Sequence, residues 1–183
     1  MSRARLFLIA SVLVACSSAR GETASGPDVG SAVKPLKVDA VAGDQSGKQL
    51  DFVELRKEQP TVYLFVQADK LTRPMGRFVK TLDQELDKGV DTAPGAVCVA
   101  VWLTEDVNQS KEYLPRFQQS VQLSRTTLAV FDGAKAGPND WAINLDAHLT
   151  AVVVRDGKVV KCFGYQSLNE TNVPEVVAEL KKK

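Results

Sequence analysis

Three cysteines and one histidine are the side chains of this 183-residue chain best suited to covalent or acid–base chemistry. Cys16 closes an apolar segment near the amino terminus, whereas Cys98 and Cys162 stand inside apolar, strand-like runs. Thiol exchange requires the thiolate, which apolar surroundings disfavour, so cysteines in such runs read as small buried hydrophobes. His148, with Asp146 two residues before it, has the elements of a general base or a ligand. It lacks a partner at HxH or HxxxH spacing and a companion cysteine, and no metal site is expected. A serine hydrolase would need a Gly-x-Ser-x-Gly elbow, which does not occur. Gly43 to Lys48 approaches a phosphate loop, but its spacing is one residue short and Gln49 stands where Ser or Thr must reach magnesium. That stretch reads as a turn, and no cofactor is expected.

At the amino terminus, Arg3 and Arg5 precede an apolar run from Leu6 to Ala15, broken only by Ser11. A basic region, a short apolar core and small residues before a cleavage point make a secretory signal. Such a run cannot span a bilayer, which needs about 20 helical residues. Leu13-Val14-Ala15-Cys16 resembles the lipobox of bacterial lipoproteins. The resemblance implies that residues 1–15 are removed and that Cys16 becomes the multiply acylated first residue, facing the periplasm in the cell envelope. Ser17 stands where inner-membrane examples carry Asp, which favours the outer membrane. The alternative is an ordinary signal with an incidental cysteine. Removing the signal leaves 21 of the 23 Lys and Arg against 22 Asp and Glu. So balanced a chain has no field to gather nucleic acid or anionic lipid, and the membrane partner must be reached through acyl chains on Cys16.

From Ser17 to about Val33 the chain is rich in small residues and lacks apolar periodicity, so residues 16–34 read as the lipid site and a flexible tether. A single domain, 35–183, follows. Leu36 to Val41, the Gly43–Lys48 turn and Leu50 to Leu55 predict an amino-terminal β-hairpin, its second arm a strand or short helix. Thr61 to Val66 is a continuous apolar run suited to a strand buried on both faces. Pro74, Met75, Phe78, Val79, Leu82 and Leu86 then predict a helix ending at Gly89. Ala96 to Leu103 is the next buried strand, and Tyr113, Leu114, Phe117 and Val121 mark another helix, its start shifted or kinked by Pro115. Thr127 to Phe131 is a short strand, Trp141 and Ile143 sit on a short helical turn, and Arg155-Asp156-Gly157 joins the strands of a hairpin. Asn172 and Glu175 predict a capping box for a last helix. The alternation of strands and helices implies an α/β fold with a mixed sheet.

This order, with its entrance hairpin, resembles the redoxin branch of the thioredoxin-like family, which includes peroxiredoxins and envelope thiol reductases. Asp44 to Lys48 with Leu50, the Pro60 to Phe65 strand entry, Phe131-Asp132, and Leu149 to Lys158 ahead of Val159-Val160 and Gly164 carry the resemblance over nearly the whole domain. It implies a thioredoxin-like mixed sheet flanked by helices, with the hairpin added. It also implies a thiolate in the loop before the first core helix, where the helix's positive end lowers the thiol pKa. Here that loop reads Gln67-Ala68-Asp69-Lys70-Leu71-Thr72-Arg73-Pro74, and no cysteine occurs from Ser17 to Val97. Redoxins also place a cis-proline before the second hairpin, a position held here by His148, whose peptide is expected to be trans. The family's strand order would set Cys98 and Cys162 three strands apart, about 14 Å, too far for a disulfide.

These readings lead to an envelope lipoprotein whose thioredoxin-like domain lacks the redox-active cysteines and serves binding or assembly of an envelope partner. Asp69, Lys70, Thr72, Arg73 and His148 form the candidate binding loop; no residue is assigned a catalytic role. The competing reading is a thiol oxidoreductase or peroxidase that uses a displaced Cys98 or Cys162.

Overall fold

In the computed structural model the described residues are 22–90 and 93–182, so the segment read as a secretory signal and Cys16 lie outside them. The first elements are β1 (Lys37–Ala42) and β2 (Gln49–Asp51), paired antiparallel around the Gly43–Lys48 turn, then α1 (Phe52–Arg56). The second arm is thus strand and helix in succession, and Asp51 makes the switch: its carboxylate accepts from the Val53 and Glu54 N–H groups. The continuous apolar run becomes β3 (Thr61–Gln67), every residue of it buried. It feeds α2 (Arg73–Asp87), with Pro74 in the first turn, and then β4 (Val97–Leu103).

Next come α3 (Val107–Val121), β5 (Thr126–Phe131), a 3₁₀ turn at Asn139–Trp141, the hairpin of β6 (Leu149–Arg155) and β7 (Lys158–Tyr165), and α4 (Val173–Lys181). Asp156 and Gly157 both take positive φ, as a two-residue hairpin turn of this twist requires. Two local expectations are corrected. Asp106 caps α3, so the helix starts well before Pro115 and continues past it, with Pro115 exposed. The capping box belongs to a 3₁₀ turn at Glu170–Asn172, closed by Asn169 and Asn172, and Asn172 instead donates to the Glu175 carboxylate at 2.9 Å.

All seven strands form one sheet in the order β2-β1-β5-β4-β3-β6-β7. The β3–β4 and β4–β5 pairs are parallel and the others antiparallel. On one face Met75, Phe78 and Leu82 of α2, Leu114 and Phe117 of α3, and Val176 and Leu180 of α4 pack on Val62, Leu64, Val66, Ala100 and Trp102. The opposite face has no long helix. Leu36, Phe52 and Trp141 cover Tyr63, Phe65, Val99 and Val101 there. Trp141 lies against the Tyr63 and Phe65 rings at 5.2 and 4.9 Å, and its indole N–H donates to the Pro35 carbonyl at 3.1 Å. An aromatic body with its one donor satisfied substitutes for a helix on this side.

The described part of the segment read as a flexible tether is instead a strap along β7. Thr23 N–H donates to Gly164 O at 2.8 Å, Gly30 N–H to Val159 O at 2.8 Å, and Val159 N–H returns to Ser31 O at 3.0 Å. Ser25 Oγ shares a 2.6 Å bond with Thr150 Oγ1 and accepts from Asn144 N–H. Gly164 permits the approach: a Cβ there would overlap the Thr23 carbonyl oxygen. Composition concealed this because the strap is held by backbone bonds and glycine clearances rather than by apolar side chains.

Candidate functional site

The loop that should carry chemistry lies where β3 ends and α2 begins. Thr72 is the N-cap of α2, its Oγ1 accepting from Met75 N–H at 3.4 Å, and the next residues, Arg73 and Pro74, carry no thiol. The positive end of a fifteen-residue helix is therefore present, but no ionisable sulfur faces it.

Most of the expected binding residues hold the loop itself. Asp69 pairs with Lys135 at 2.7 Å, and the lysine's hydrogen bond holds the carboxyl below the usual carboxylate range. Lys70 Nζ donates to the Leu145 carbonyl at 2.7 Å and so ties the loop to the segment before β6. Thr72 is occupied by its cap. Of the four loop residues, Arg73 alone extends from the surface without a polar partner among the described residues. His148 enters through its backbone: its N–H donates to Tyr165 O at 2.7 Å and its carbonyl accepts from Gln67 N–H at 3.0 Å. No cis peptide occurs among the described residues, so the His148 peptide is trans. The structure thus gathers Asp69, Thr72 and Arg73 at one end of the sheet and brings the His148 main chain beside them.

Two residues of this site escaped sequence reasoning. Gln67 ends β3 only 1% exposed, its Nε2 donating to Lys135 O at 3.4 Å and its Oε1 lacking a protein partner. A polar residue closing an otherwise apolar run was the available sign. Lys135 comes from the β5–β6 connection, 66 residues from Asp69, and no local pattern marks it.

Both remaining thiols lie away from this loop, on opposite faces of the sheet. Cys98 stands within β4, 1% exposed, on the face covered by the long helices, and burial pushes its thiol far above the ordinary range. Cys162 lies on β7 and packs with the opposite face, where burial pushes its thiol up to about 11. Its Sγ lies 3.2 Å from the Pro27 carbonyl of the strap, donating to it. β3 and β6 separate the two strands, as the family's strand order implied. Among the described residues no group of three or more His, Cys, Asp or Glu could hold a metal ion.

No protein-family model matches the sequence, and no curated protein matches it either. Solved structures do. Peroxidoxin BcpB from Mycobacterium tuberculosis aligns with a TM-score of 0.61 at 14% identity, over 85% of this chain and 97% of its own. A peroxiredoxin-like protein from Aquifex aeolicus gives 0.58 at 17% identity, over 87% and 90%. BsSco, a member of the Sco family of cytochrome c oxidase assembly proteins, gives 0.57 at 14% identity, over 87% and 99%. At these identities the likeness concerns architecture. Together with the strand order and the entrance hairpin, it assigns this chain the thioredoxin-like fold in its redoxin form.

Proposed function

We propose that this chain is a bacterial envelope lipoprotein, anchored through acyl groups on Cys16 and facing the periplasm, whose redoxin-fold domain binds or assembles an envelope partner without thiol chemistry. The observation that carries the reading is the β3–α2 junction: the helix end that would stabilise a thiolate is capped by Thr72, and no cysteine among the described residues lies near it. Disulfide exchange proceeds only by thiolate attack on sulfur, so the cap and its neighbours cannot substitute. Both other thiols are held protonated by burial, on opposite faces of the sheet. The fold's occurrence in BsSco, a member of a family of assembly proteins, agrees with the assembly part of this role, although BsSco itself carries a disulfide switch.

The decisive experiment assays the full chain in detergent for peroxide consumption and for reduction of insulin disulfides, beside a charged alkylating reagent that reports thiol reactivity. No turnover and slow labelling are expected. Turnover abolished by Cys98→Ser or Cys162→Ser would establish the oxidoreductase reading instead. Anchoring is tested separately: Cys16→Ser should move the protein from the membrane fraction to the soluble periplasmic fraction, and unchanged sedimentation would remove the lipid from the account.

A further inference from the structure

Between the amino-terminal half of α2 and the length of α3 runs a trough made of two adjoining hollows, of about 520 and 350 Å³, that meet at Leu71 and Tyr113. Its middle is aromatic. Tyr113 is 42% exposed, and its ring lies 5.9 Å from that of Phe117 below it. Gly76 of α2 faces Phe117. A Cβ at Gly76 would sit 3.5 Å from the ring, an ordinary contact, and its φ is unremarkable. Neither packing nor backbone demands glycine here, although glycine inside a helix costs about 1 kcal/mol relative to alanine. What glycine provides is an open floor.

The two ends differ in charge. Arg73, Arg77 and Lys80 follow one another along α2 at the smaller hollow, whose lining includes no carboxylate. Arg77 is shared with Glu170 at 2.9 Å, and among the described residues Arg73 and Lys80 have no polar partner. The larger hollow is bordered by Glu105, Asp106 and the Asp69–Lys135 pair, an excess of negative charge. An apolar centre between opposite charges fits a peptide segment better than a bilayer, which presents a single sign of charge over a flat surface.

The strap indicates where the segment comes from. Glu22 bridges to Tyr165, which pairs with Leu149, which pairs with Val66 near the end of β3. The chain therefore leaves the domain at the same end of the sheet as the trough. Five residues separate Glu22 from Cys16, and the six Cα steps between them reach at most about 20 Å. Anchored at Cys16, the domain holds this end close to the membrane.

We propose that the trough is a docking groove for a membrane-proximal segment of an envelope protein, one with a bulky apolar residue flanked by acidic residues on one side and basic residues on the other. The apolar side chain settles on Tyr113 and Phe117, the acidic flank meets Arg73 and Lys80, and the basic flank meets Glu105 and Asp106. This rests on the reading of the domain as a binding module and specifies its partner.

The test uses a fluorescein-labelled peptide, Glu-Glu-Leu-Phe-Leu-Lys-Lys, and the full chain in detergent at low ionic strength, read by fluorescence anisotropy. Saturable binding is expected, about 10-fold weaker when the peptide's Phe is Ala. Gly76→Leu, which fills the floor, should abolish it. The surface pair Arg73→Glu with Lys80→Glu should also lose this peptide and gain one whose Glu pair is replaced by Lys. That gain keeps the test decisive if Gly76→Leu does not fold. No binding, equal binding of all-Glu and all-Lys peptides, or indifference to these substitutions would overturn the groove. So would preferential binding to phosphatidylglycerol vesicles, which would assign the basic rim to lipid. Failure of the peptide with no thiol turnover in the same sample refutes the groove alone, whereas turnover refutes the binding-module reading beneath it.

Discussion

Replacing Gly26 by Ala should turn the shielded thiol of Cys162 into a reactive one. Gly26 has φ +104°, and a Cβ added there would lie 2.7 Å from Cys162 Sγ, 2.9 Å from its Cβ and 3.4 Å from a Val152 methyl. The first two distances are closer than carbon and sulfur can pack, so the strap must lift, and the left-handed backbone adds its own strain. The expected loss of stability is about 2–3 kcal/mol. Burial has raised the Cys162 thiol from 9.0 to about 11, which reduces its thiolate at neutral pH about 100-fold. In a Cys98→Ala background, iodoacetamide should therefore label Cys162 about 100-fold more slowly than a free thiol, and the Gly26→Ala variant should recover most of that factor. Gly30→Ala is the control. Gly30 has φ +86° and open space around its Cβ position, so it should lose about 1 kcal/mol without exposing the thiol. If Gly26→Ala melts and labels as the parent does, the strap is not seated on β7 and the reasoning fails. Rapid labelling of the parent at neutral pH would refute it as well.

Three further outcomes follow from the same geometry. Asp83, buried in α2, accepts from Ser124 N–H at 3.0 Å and Arg125 N–H at 2.8 Å; Asp83→Ala should cost about 3 kcal/mol, a fall of roughly 10 °C in Tm by calorimetry. Trp141→Ala removes the aromatic cover from Tyr63 and Phe65 and should cost about 4 kcal/mol in denaturant titration, whereas Trp141→Phe, losing the bond to Pro35 O and part of the ring volume, should cost about 2 kcal/mol. The hydrogen bond from Lys111 holds Asp39 below the usual carboxylate value. Its stabilisation is complete above the unfolded-state value near pH 4 and is lost as pH falls through the lower folded value. Lys111→Met should flatten that part of the stability–pH profile by less than about 1 kcal/mol, and an unchanged acid limb would exclude the pair.

What the sequence made legible was periodic or punctuated. The run Thr61 to Val66 sits on both-face burial, Pro74 opens α2, and Asp156-Gly157 turns the β6–β7 hairpin, each a case in which local chemistry alone fixes the conformation. The absence of a thiol before α2 was equally plain, because it needs only the order of residues. What stayed hidden depends on contacts between distant residues. Lys135 reaches Asp69 across 66 positions, Lys70 reaches Leu145 across 75, and the strap is fixed by main-chain bonds that composition does not record. For the same reason the engagement of the candidate binding loop's side chains was not legible. Asp69, Lys70 and Thr72 have the types of residues that bind, but their side chains are engaged within the domain, and Arg73 is left as the outward-facing cation among them.

The strap also protects the domain from its own neighbours. An eight-residue outer strand such as β7 would otherwise offer a row of unpaired main-chain groups to any identical strand nearby. At the other border the sheet ends in β2, only three residues long, too short a template for cross-pairing. A proteolytic cut just before Val33 would leave the fold's interior intact and yet release copies prone to zip together edge to edge.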